Sequence, residues 1–127
     1  MKVTILPNKL ALGQAAASEG AKHINAAIAE KGSANVILAT GASQFEMMAS
    51  LVDELVDWSI VTFFHLDEYI GLPQTHPASF RKYLKGRFAN QVPLKTFHFI
   101  DGEADPDTEC ARLNQLMADH PIDVAFV

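Results

Sequence analysis

Two polar segments of the sequence carry residues that could bind an anion and move a proton. The first, Thr40-Gly41-Ala42-Ser43, follows the apolar run 36–39 and precedes a helical pattern. A glycine turn at the start of a helix exposes backbone N–H groups that bind anions, usually a phosphate. Gly41 permits close approach of the backbone, and Ser43 offers a hydroxyl and a helix cap. On local sequence alone, an ordinary strand-to-helix turn with a serine cap explains these residues better than a phosphate site.

The second segment carries two adjacent carboxylates, Asp67 and Glu68, and follows the apolar run 60–64. Neighbouring residues of extended backbone point to opposite sides, so only one of the two can face a shared cleft. If both apolar runs are parallel strands of one sheet, the carboxylates and the glycine turn lie at the same edge, where open α/β sheets bind ligands. An anion site beside an acid/base carboxylate is typical of an enzyme. Judged by spacing alone, Asp67 could equally cap a turn or pair with a cation.

The elements that would position these segments alternate between strands and helices. Apolar runs predict the strands, and spacings of three and four between apolar residues predict the helices. The alternation predicts a doubly wound α/β fold with a mostly parallel sheet, helices on both faces and a Rossmann-like three-layer α/β/α arrangement. Expected strands lie at 1–6, 35–39, 59–65, 96–100 and 122–127, and expected helices at 8–31, 45–55, 77–88 and 105–117.

The last predicted strand bears on how much of a domain the chain contains. Five of the last six residues, 122–127, are apolar, which is typical of a strand buried on both faces. Such a strand normally leads into a further loop and helix. We therefore expect residues 1–127 to be a single α/β domain that is truncated at its C-terminus and forms the N-terminal part of a longer domain. The alternative is a compact domain whose last strand closes the sheet.

Composition limits the compartment and the partners. The net charge of −5 argues against nucleic acid and against an anionic membrane surface as partners. No apolar run reaches the roughly 20 residues that span a bilayer. Cys110 is the one cysteine, so no internal disulfide is possible and a reducing, cytoplasmic compartment is expected. Its position in an apolar helix stripe predicts a core residue rather than a nucleophile.

Structural explanations are favoured for the other titratable side chains. The histidines lack the spacing of metal ligands, so we expect partly buried or surface imidazoles and no metal site. A basic group on the third predicted helix is interpreted as a solvated helix face, because the overall charge is negative. The histidines are His23, His65, His76, His98 and His120, and the basic group is Arg81, Lys82, Lys85 and Arg87.

Three motifs resemble those of the glucosamine-6-phosphate deaminase/isomerase proteins, which share a fold superfamily with 6-phosphogluconolactonases and ribose-5-phosphate isomerase. Segments 101–106 and 109–110 also fit in order and spacing, so the resemblance covers nearly the whole chain. The three motifs are Leu38-Ala39-Thr40-Gly41-Ala42-Ser43, Leu66-Asp67-Glu68-Tyr69-Ile70-Gly71-Leu72-Pro73 and His76-Pro77-Ala78-Ser79-Phe80.

The resemblance implies an amino-sugar-phosphate deaminase or isomerase, which converts glucosamine 6-phosphate or galactosamine 6-phosphate into a ketose phosphate and ammonia. It implies that Asp67 moves a proton between C2 and C1 of the opened sugar, a task that suits a partly buried carboxylate. It also implies that the turn at 40–43 binds the phosphate and that Glu68 supports Asp67. No cofactor is expected, and since the family often forms oligomers we expect a homo-oligomer.

Two departures from the family pattern leave alternatives open. The family's turn commonly continues into a proline, whereas Ser43 is followed here by Gln44. The family's ring-opening histidine loop, and a lysine and an arginine that bind the phosphate, are expected after Val127, so the chain holds only part of a catalytic site. One alternative is a 6-phosphogluconolactonase, which typically has an arginine where this chain has Tyr69. The other is a sugar-phosphate-binding module without turnover.

Overall fold

Residues 3–127, which the computed structural model describes, form a four-stranded sheet with helices packed against it. The strand order is β3-β2-β1-β4, and each neighbouring pair is parallel. This confirms the α/β class and the parallel sheet predicted from the alternation of elements. The strands are β1 (Ala34–Leu38), β2 (Val61–His65), β3 (Thr96–His98) and β4 (Val124–Phe126).

The two longest helices of this region begin where the sequence places capping residues. The side chain of Asn8 accepts a hydrogen bond from the N–H of Ala11 at 2.8 Å and so caps the first helix. Asp105 caps the last helix, whose first position is a proline. The helices are α1 (Lys9–Lys31), α2 (Phe45–Leu51), α3 (Phe80–Leu84) and α4 (Pro106–Asp119), and α3 continues into a π-helical turn at Lys85–Ala89.

Successive residues of β2 face the two helical layers. Phe63 lies in the main hydrophobic core, which also contains Ile24 of α1 and Leu51 of α2. Phe64 faces the other side, where its ring centroid lies 5.5 Å from that of His120 at the end of α4. Both phenylalanines are buried, so β2 is a central strand covered on both faces, as its continuous apolar run requires.

The strands expected at the two chain ends differ from the prediction. Residues 3–6 are not in a strand, and Met1 and Lys2 lie outside the described residues. An apolar run forms a strand only where a neighbour satisfies its backbone N–H and C=O groups, and no strand of this sheet pairs with 3–6. The last strand, β4, is not buried on both faces: Phe126 is buried but Ala125 is exposed, because no described element covers the face that carries Ala125.

Two predicted helix boundaries are also wrong. The second helix ends at Leu51, and Leu55, expected on its buried face, is 93% exposed. The third helix begins at Phe80 rather than at Pro77. Ser79 sets this start, because its hydroxyl accepts a hydrogen bond from a backbone N–H three residues later.

The surface of α4 corrects one further expectation. Cys110 is exposed and not part of the core, because Glu109 is the buried residue of this helix. No helix formed by residues 3–127 is long and apolar enough to cross a membrane.

Candidate functional site

The glycine turn and the carboxylate segment lie at the same edge of the sheet. Strands β1 and β2 are adjacent and in register, so that Leu38 is paired with His65 near their carboxyl ends. The N–H of Leu66 also donates to the carbonyl oxygen of Leu38 at 3.1 Å. The turn at 40–43 and Asp67 therefore leave the sheet from adjacent strands at one edge, in the arrangement that the sequence predicts.

The turn presents a row of unpaired backbone donors. Among the described residues, no hydrogen bond uses the N–H groups of residues 40–43. Gly41 adopts φ 144° and ψ 163°, a backbone conformation that residues other than glycine rarely adopt. The hydroxyl of Thr40 is buried and has no hydrogen-bond partner within residues 3–127. Successive free N–H groups of this kind are the donors that a bound anion satisfies.

The turn also forms one wall of a cleft of about 240 Å³. Residues 77–80 and Tyr83, of which Phe80 and Tyr83 lie on α3, form the opposite wall. The rings of Phe45 and Tyr83 stack with their centroids 5.5 Å apart, and those of Tyr69 and Phe80 lie 4.9 Å apart. A mostly apolar cleft with a few polar groups at one end is the usual form of a small-molecule site.

Asp67 is exposed rather than partly buried as its expected task favours, because it lies beyond the end of β2, and no hydrogen bond or ion pair within residues 3–127 occupies its carboxylate. It lines a separate depression of about 260 Å³ together with Ile100, Gly102 and Cys110. The fold therefore brings Asp67 to the same edge as the turn but into a different depression. An unoccupied, accessible carboxylate of this kind is available to accept a proton.

Glu68 turns inward, so the two neighbouring carboxylates have opposite surroundings. Its side chain is fully buried and accepts hydrogen bonds from the backbone N–H groups of Tyr69, Phe80 and Arg81 at 3.0, 3.1 and 2.8 Å. The hydroxyl of Ser79 donates to it at 3.2 Å. Burial by itself would raise the pKa of Glu68, but the backbone donors, that of Arg81 foremost, bring the pKa below its usual range. Glu68 is thus an ionised carboxylate at the N-terminus of α3.

Arg81 is buried, which contradicts the solvated face expected for the basic residues of the third helix. Its guanidinium donates to Asp101 Oδ1 at 2.8 Å and to Glu103 Oε2 at 3.1 Å. It also donates to the carbonyl oxygen of Leu72 at 3.0 Å, and its Nε lies 3.5 Å from Glu68. A buried cation is tolerated only with such partners. Arg81 therefore connects α3 to the two loops beside it.

The loop that begins at Asp101 packs tightly against the carboxylate segment. A Cβ at Gly102 would lie 2.3 Å from the carbonyl oxygen of Tyr69, so only glycine fits there. The N–H of Gly71 donates to the carbonyl oxygen of Gly102 at 2.6 Å. Glu109 holds this loop from α4 by accepting a hydrogen bond from the N–H of Asp101 at 2.8 Å. The position of the segment after β2 is thus set by two other parts of the chain.

His65, two residues before Asp67, is 5% exposed. Its Nδ1 accepts a hydrogen bond from the N–H of Ile100 at 3.4 Å, and its Nε2 has no partner within residues 3–127. Burial lowers the pKa of His65 to about 4, against the opposing effects of Glu68 and Asp67. The imidazole is therefore neutral at pH 7. The described residues contain no group of three or more His, Cys, Asp or Glu side chains placed to hold a metal ion.

Ser43 does not take the helix-capping role that the sequence suggests. It lies inside a 3-10 turn, Ala42–Gln44, and no side chain of the described region caps α2. Its exposed side chain lines a crevice of about 380 Å³ near the carboxyl ends of β1 and β4. In the sheet, β2 and β3 lie on one side of β1, and β4 lies on the other. The boundary between β1 and β4 is therefore a topological switch point, where open α/β sheets bind ligands. The exposed Ser43 hydroxyl can therefore contact a ligand that binds there.

Sequence reasoning did not identify Arg81, Gly102 or Tyr83 as part of this region. The two acidic residues on either side of Gly102 are a signal that a cation lies nearby. No local signal indicates Tyr83, because its hydroxyl contacts Gly41, 42 positions away in the chain.

Comparison with known proteins assigns the chain to a family. Residues 7–126 match the family described as glucosamine-6-phosphate isomerases/6-phosphogluconolactonase. The chain belongs to this family. The match covers nearly the whole chain and confirms the resemblance carried by the three sequence motifs.

Two relatives of the chain are glucosamine-6-phosphate deaminases. The chain is 32% identical to the glucosamine-6-phosphate deaminase of Lactobacillus delbrueckii subsp. bulgaricus over 125 aligned residues. This alignment covers 98% of this chain and 51% of the relative. The chain is 37% identical to the glucosamine-6-phosphate deaminase of Streptococcus sanguinis over 98 aligned residues, and this alignment covers 76% of this chain and 42% of the relative. The chain thus spans about half the length of the relatives it matches.

Solved structures share the same fold. A monomeric glucosamine-6-phosphate deaminase aligns with a TM-score of 0.81 at 30% identity, over 94% of this chain and 51% of that one. A 6-phosphogluconolactonase from Shewanella baltica aligns with a TM-score of 0.83 at 19% identity, over 98% of this chain and 56% of that one. At the latter identity the likeness establishes the fold alone.

The buried position of Glu68 predicts a cost for neutralising it. We expect Glu68→Gln to lower the free energy of unfolding by about 2 kcal/mol, because hydrogen bonds to a charged acceptor are replaced by weaker ones. Urea unfolding at pH 7 measures the change. Glu30→Gln, at an exposed position of α1, is the control and should change the free energy by less than about 0.5 kcal/mol. Equal effects of the two variants would contradict the capping role of Glu68.

His65 predicts a loss of stability in mild acid. Its pKa is about 4 in the folded chain and about 6.5 when unfolded, so the unfolded chain binds more protons between these values. The stability contributed by neutral His65 is therefore complete above pH 6.5 and is lost as the pH falls towards 4. Between pH 7 and pH 4, we expect His65→Gln to lose less unfolding free energy than the parent, by up to about 3 kcal/mol. His23→Gln, at an exposed histidine, should follow the parent; the same behaviour in His65→Gln would refute this assignment.

Proposed function

We propose that this chain supplies the phosphate turn and the base of an amino-sugar-phosphate deaminase or isomerase. The substrate is glucosamine 6-phosphate or galactosamine 6-phosphate, and the products are a ketose phosphate and ammonia. One observation carries the proposal: free N–H donors at 40–43 and a free carboxylate at Asp67 follow adjacent strands at one sheet edge. The relatives, which are glucosamine-6-phosphate deaminases, support the substrate class.

The reaction couples an aldose–ketose shift to the hydrolytic loss of ammonia: water supplies the C2 carbonyl oxygen of the ketose phosphate, and the C2 nitrogen leaves as ammonia. Asp67 takes the proton from C2 of the opened sugar and returns it to C1, which requires a carboxylate that is ionised, accessible and fixed in position. Accessibility comes from its exposed side chain. Fixation comes from Glu68, whose hydrogen bonds to the start of α3 hold the adjacent backbone. The shift moves a proton and an electron pair within the sugar, so the reaction consumes no redox cofactor.

The phosphate of the substrate is assigned to the turn at 40–43. Thr40, Gly41, Ala42 and Ser43 offer four successive N–H groups, and Thr40 and Ser43 add hydroxyls that have no hydrogen-bond partner in the described chain. The net charge of the chain is −5, so these local donors, rather than a general positive field, attract the anion.

The cellular setting follows from composition. We propose a cytoplasmic protein without a nucleic-acid or membrane partner, which is supported by the negative net charge and by the free, exposed thiol of Cys110. The homo-oligomer that the resemblance implies stays a prediction. One structural neighbour is a monomeric deaminase.

An assay of ammonia release tests the function. In a protein of the relatives' full length that contains this chain, with glucosamine 6-phosphate or galactosamine 6-phosphate as substrate, we expect Asp67→Asn to lower turnover by about 100-fold or more, the usual contribution of an acid/base residue, while sugar-phosphate affinity is unchanged. Asp53→Asn, at an exposed aspartate elsewhere, is the control. Substantial turnover by Asp67→Asn would refute the assignment of the base. Binding without ammonia from the parent chain favours the module without turnover, and release of acid from 6-phosphogluconolactone favours the lactonase.

The conformation of Gly41 gives a separate test of phosphate binding. Gly41→Ala places a Cβ on backbone with φ 144°, so the turn must change shape and inorganic phosphate should bind about tenfold more weakly, given strain of about 1–3 kcal/mol. Gly32→Ala, at φ 80° beyond the end of α1, adds comparable strain outside the site and should leave the affinity unchanged. Isothermal titration calorimetry measures both. Equal affinities of the two variants would exclude the turn as the phosphate site.

A further inference from the structure

Helix α3 is attached to both candidate functional segments. At its first turn, the N–H groups of Phe80 and Arg81 donate to Glu68, the neighbour of Asp67. Three residues after Phe80, the hydroxyl of Tyr83 donates to the carbonyl oxygen of Gly41 at 3.2 Å. One short helix therefore contacts the carboxylate segment after β2 and the glycine turn after β1.

Tyr83 is held in a single orientation by its surroundings. Its ring is half-buried and stacks on Phe45 at a centroid distance of 5.5 Å and an interplanar angle of 27°. The guanidinium of Arg87 lies 3.9 Å from the Phe45 ring centroid and 5.2 Å from that of Tyr83. Burial raises the pKa of Tyr83, with Arg87 opposing. The hydroxyl thus keeps its proton at neutral pH and can only donate to a carbonyl oxygen.

The bond to Gly41 determines where an anion donor points. The carbonyl of Gly41 and the N–H of Ala42 belong to one planar trans peptide, so they point in opposite directions. Glycine leaves this peptide free to rotate, since φ of either sign is allowed. Two hydrogen bonds to the Gly41 carbonyl prevent the rotation: one from the N–H of Gln44 at 3.0 Å and one from Tyr83. Fixing this carbonyl fixes the direction of the Ala42 N–H.

We propose that Tyr83 is a positioning residue for the anion-binding turn. Through Gly41 it orients the N–H of Ala42 toward the bound phosphate, and through α3 it couples the turn to the Glu68 segment beside Asp67. The proposal rests on the function proposed above, because it requires phosphate to bind at residues 40–43. It adds a residue that makes no contact with the anion itself.

Phosphate titration of the 127-residue chain tests the proposal, with 15N amide shifts as the readout. In the parent we expect phosphate to shift the amides of Gly41, Ala42 and Ser43, and also those of Glu68 and Phe80. Tyr83→Phe keeps the stacked ring and removes the hydroxyl. We expect it to weaken inorganic phosphate binding about three- to tenfold, the range that one neutral hydrogen bond supports, and to reduce the shifts at Glu68 and Phe80 at saturation.

Matched variants separate positioning from a loss of stability. Thr96→Val removes a hydroxyl that also donates to a backbone carbonyl, at 2.7 Å, but at the opposite end of the strands. Because this hydroxyl is exposed, Thr96→Val should leave both the melting temperature and the phosphate affinity close to those of the parent. Replacing Tyr83 with 4-aminophenylalanine, whose uncharged amino group donates in place of the hydroxyl, should restore the affinity toward the parent value.

The outcomes distinguish this proposal from the one on which it rests. No phosphate-dependent shift at residues 40–43 in the parent overturns the anion site and, with it, the role of Tyr83. Parent-like phosphate affinity in Tyr83→Phe overturns the role of Tyr83 and leaves the anion site intact. Weaker binding in Tyr83→Phe that 4-aminophenylalanine fails to restore overturns the hydrogen-bond explanation, because a donor returned to the same position would then not be what sets the affinity.

Discussion

The burial of one carboxylate, that of Glu68, is the constraint on which the candidate site depends. A buried charge is costly unless hydrogen bonds replace the water it loses. Glu68 recovers that loss from backbone N–H groups at the start of α3, which would themselves lack partners at a helix N-terminus. The carboxylate and the N–H groups of the helix start therefore satisfy each other's hydrogen bonds. The segment after β2 cannot move away from α3 without leaving both groups unsatisfied.

Two further features fix the geometry around this carboxylate. Arg81 adds a buried cation that joins α3 to Leu72 and to the acidic loop at Asp101 and Glu103. The absence of a side chain at Gly102 lets that loop reach the backbone of Tyr69. The exposed Asp67 thus projects from a segment whose backbone is held on several sides. A surface carboxylate needs such a fixed backbone if it is to transfer a proton at one defined substrate atom.

The sequence predicted the sheet well because its central strands have strong local signals. The runs that became β1 and β2 are short and mostly apolar, and such runs form buried parallel strands. The failures involve partners distant in sequence. Residues 3–6 have strand-like composition but no neighbouring strand, and Arg81 reads as a surface residue because its acidic partners lie about 20 positions away. Pro77 suits the first turn of a helix and so was predicted to start α3, but the capping hydroxyl of Ser79 starts the helix at Phe80.

The π-helical turn at Lys85–Ala89 has a consequence for how the family's chains should be aligned. A π-turn contains one residue more than an α-turn needs, and each helical residue turns the following side chains by about 100°. With this extra residue, Phe88 reaches the core while Arg87 lies over Phe45. The exposed Gly86 has open space where a side chain would be, so the surplus residue is accommodated at the surface. Insertions and deletions of a single residue among homologues should concentrate in these five positions, where the backbone can change its winding without disturbing the sheet.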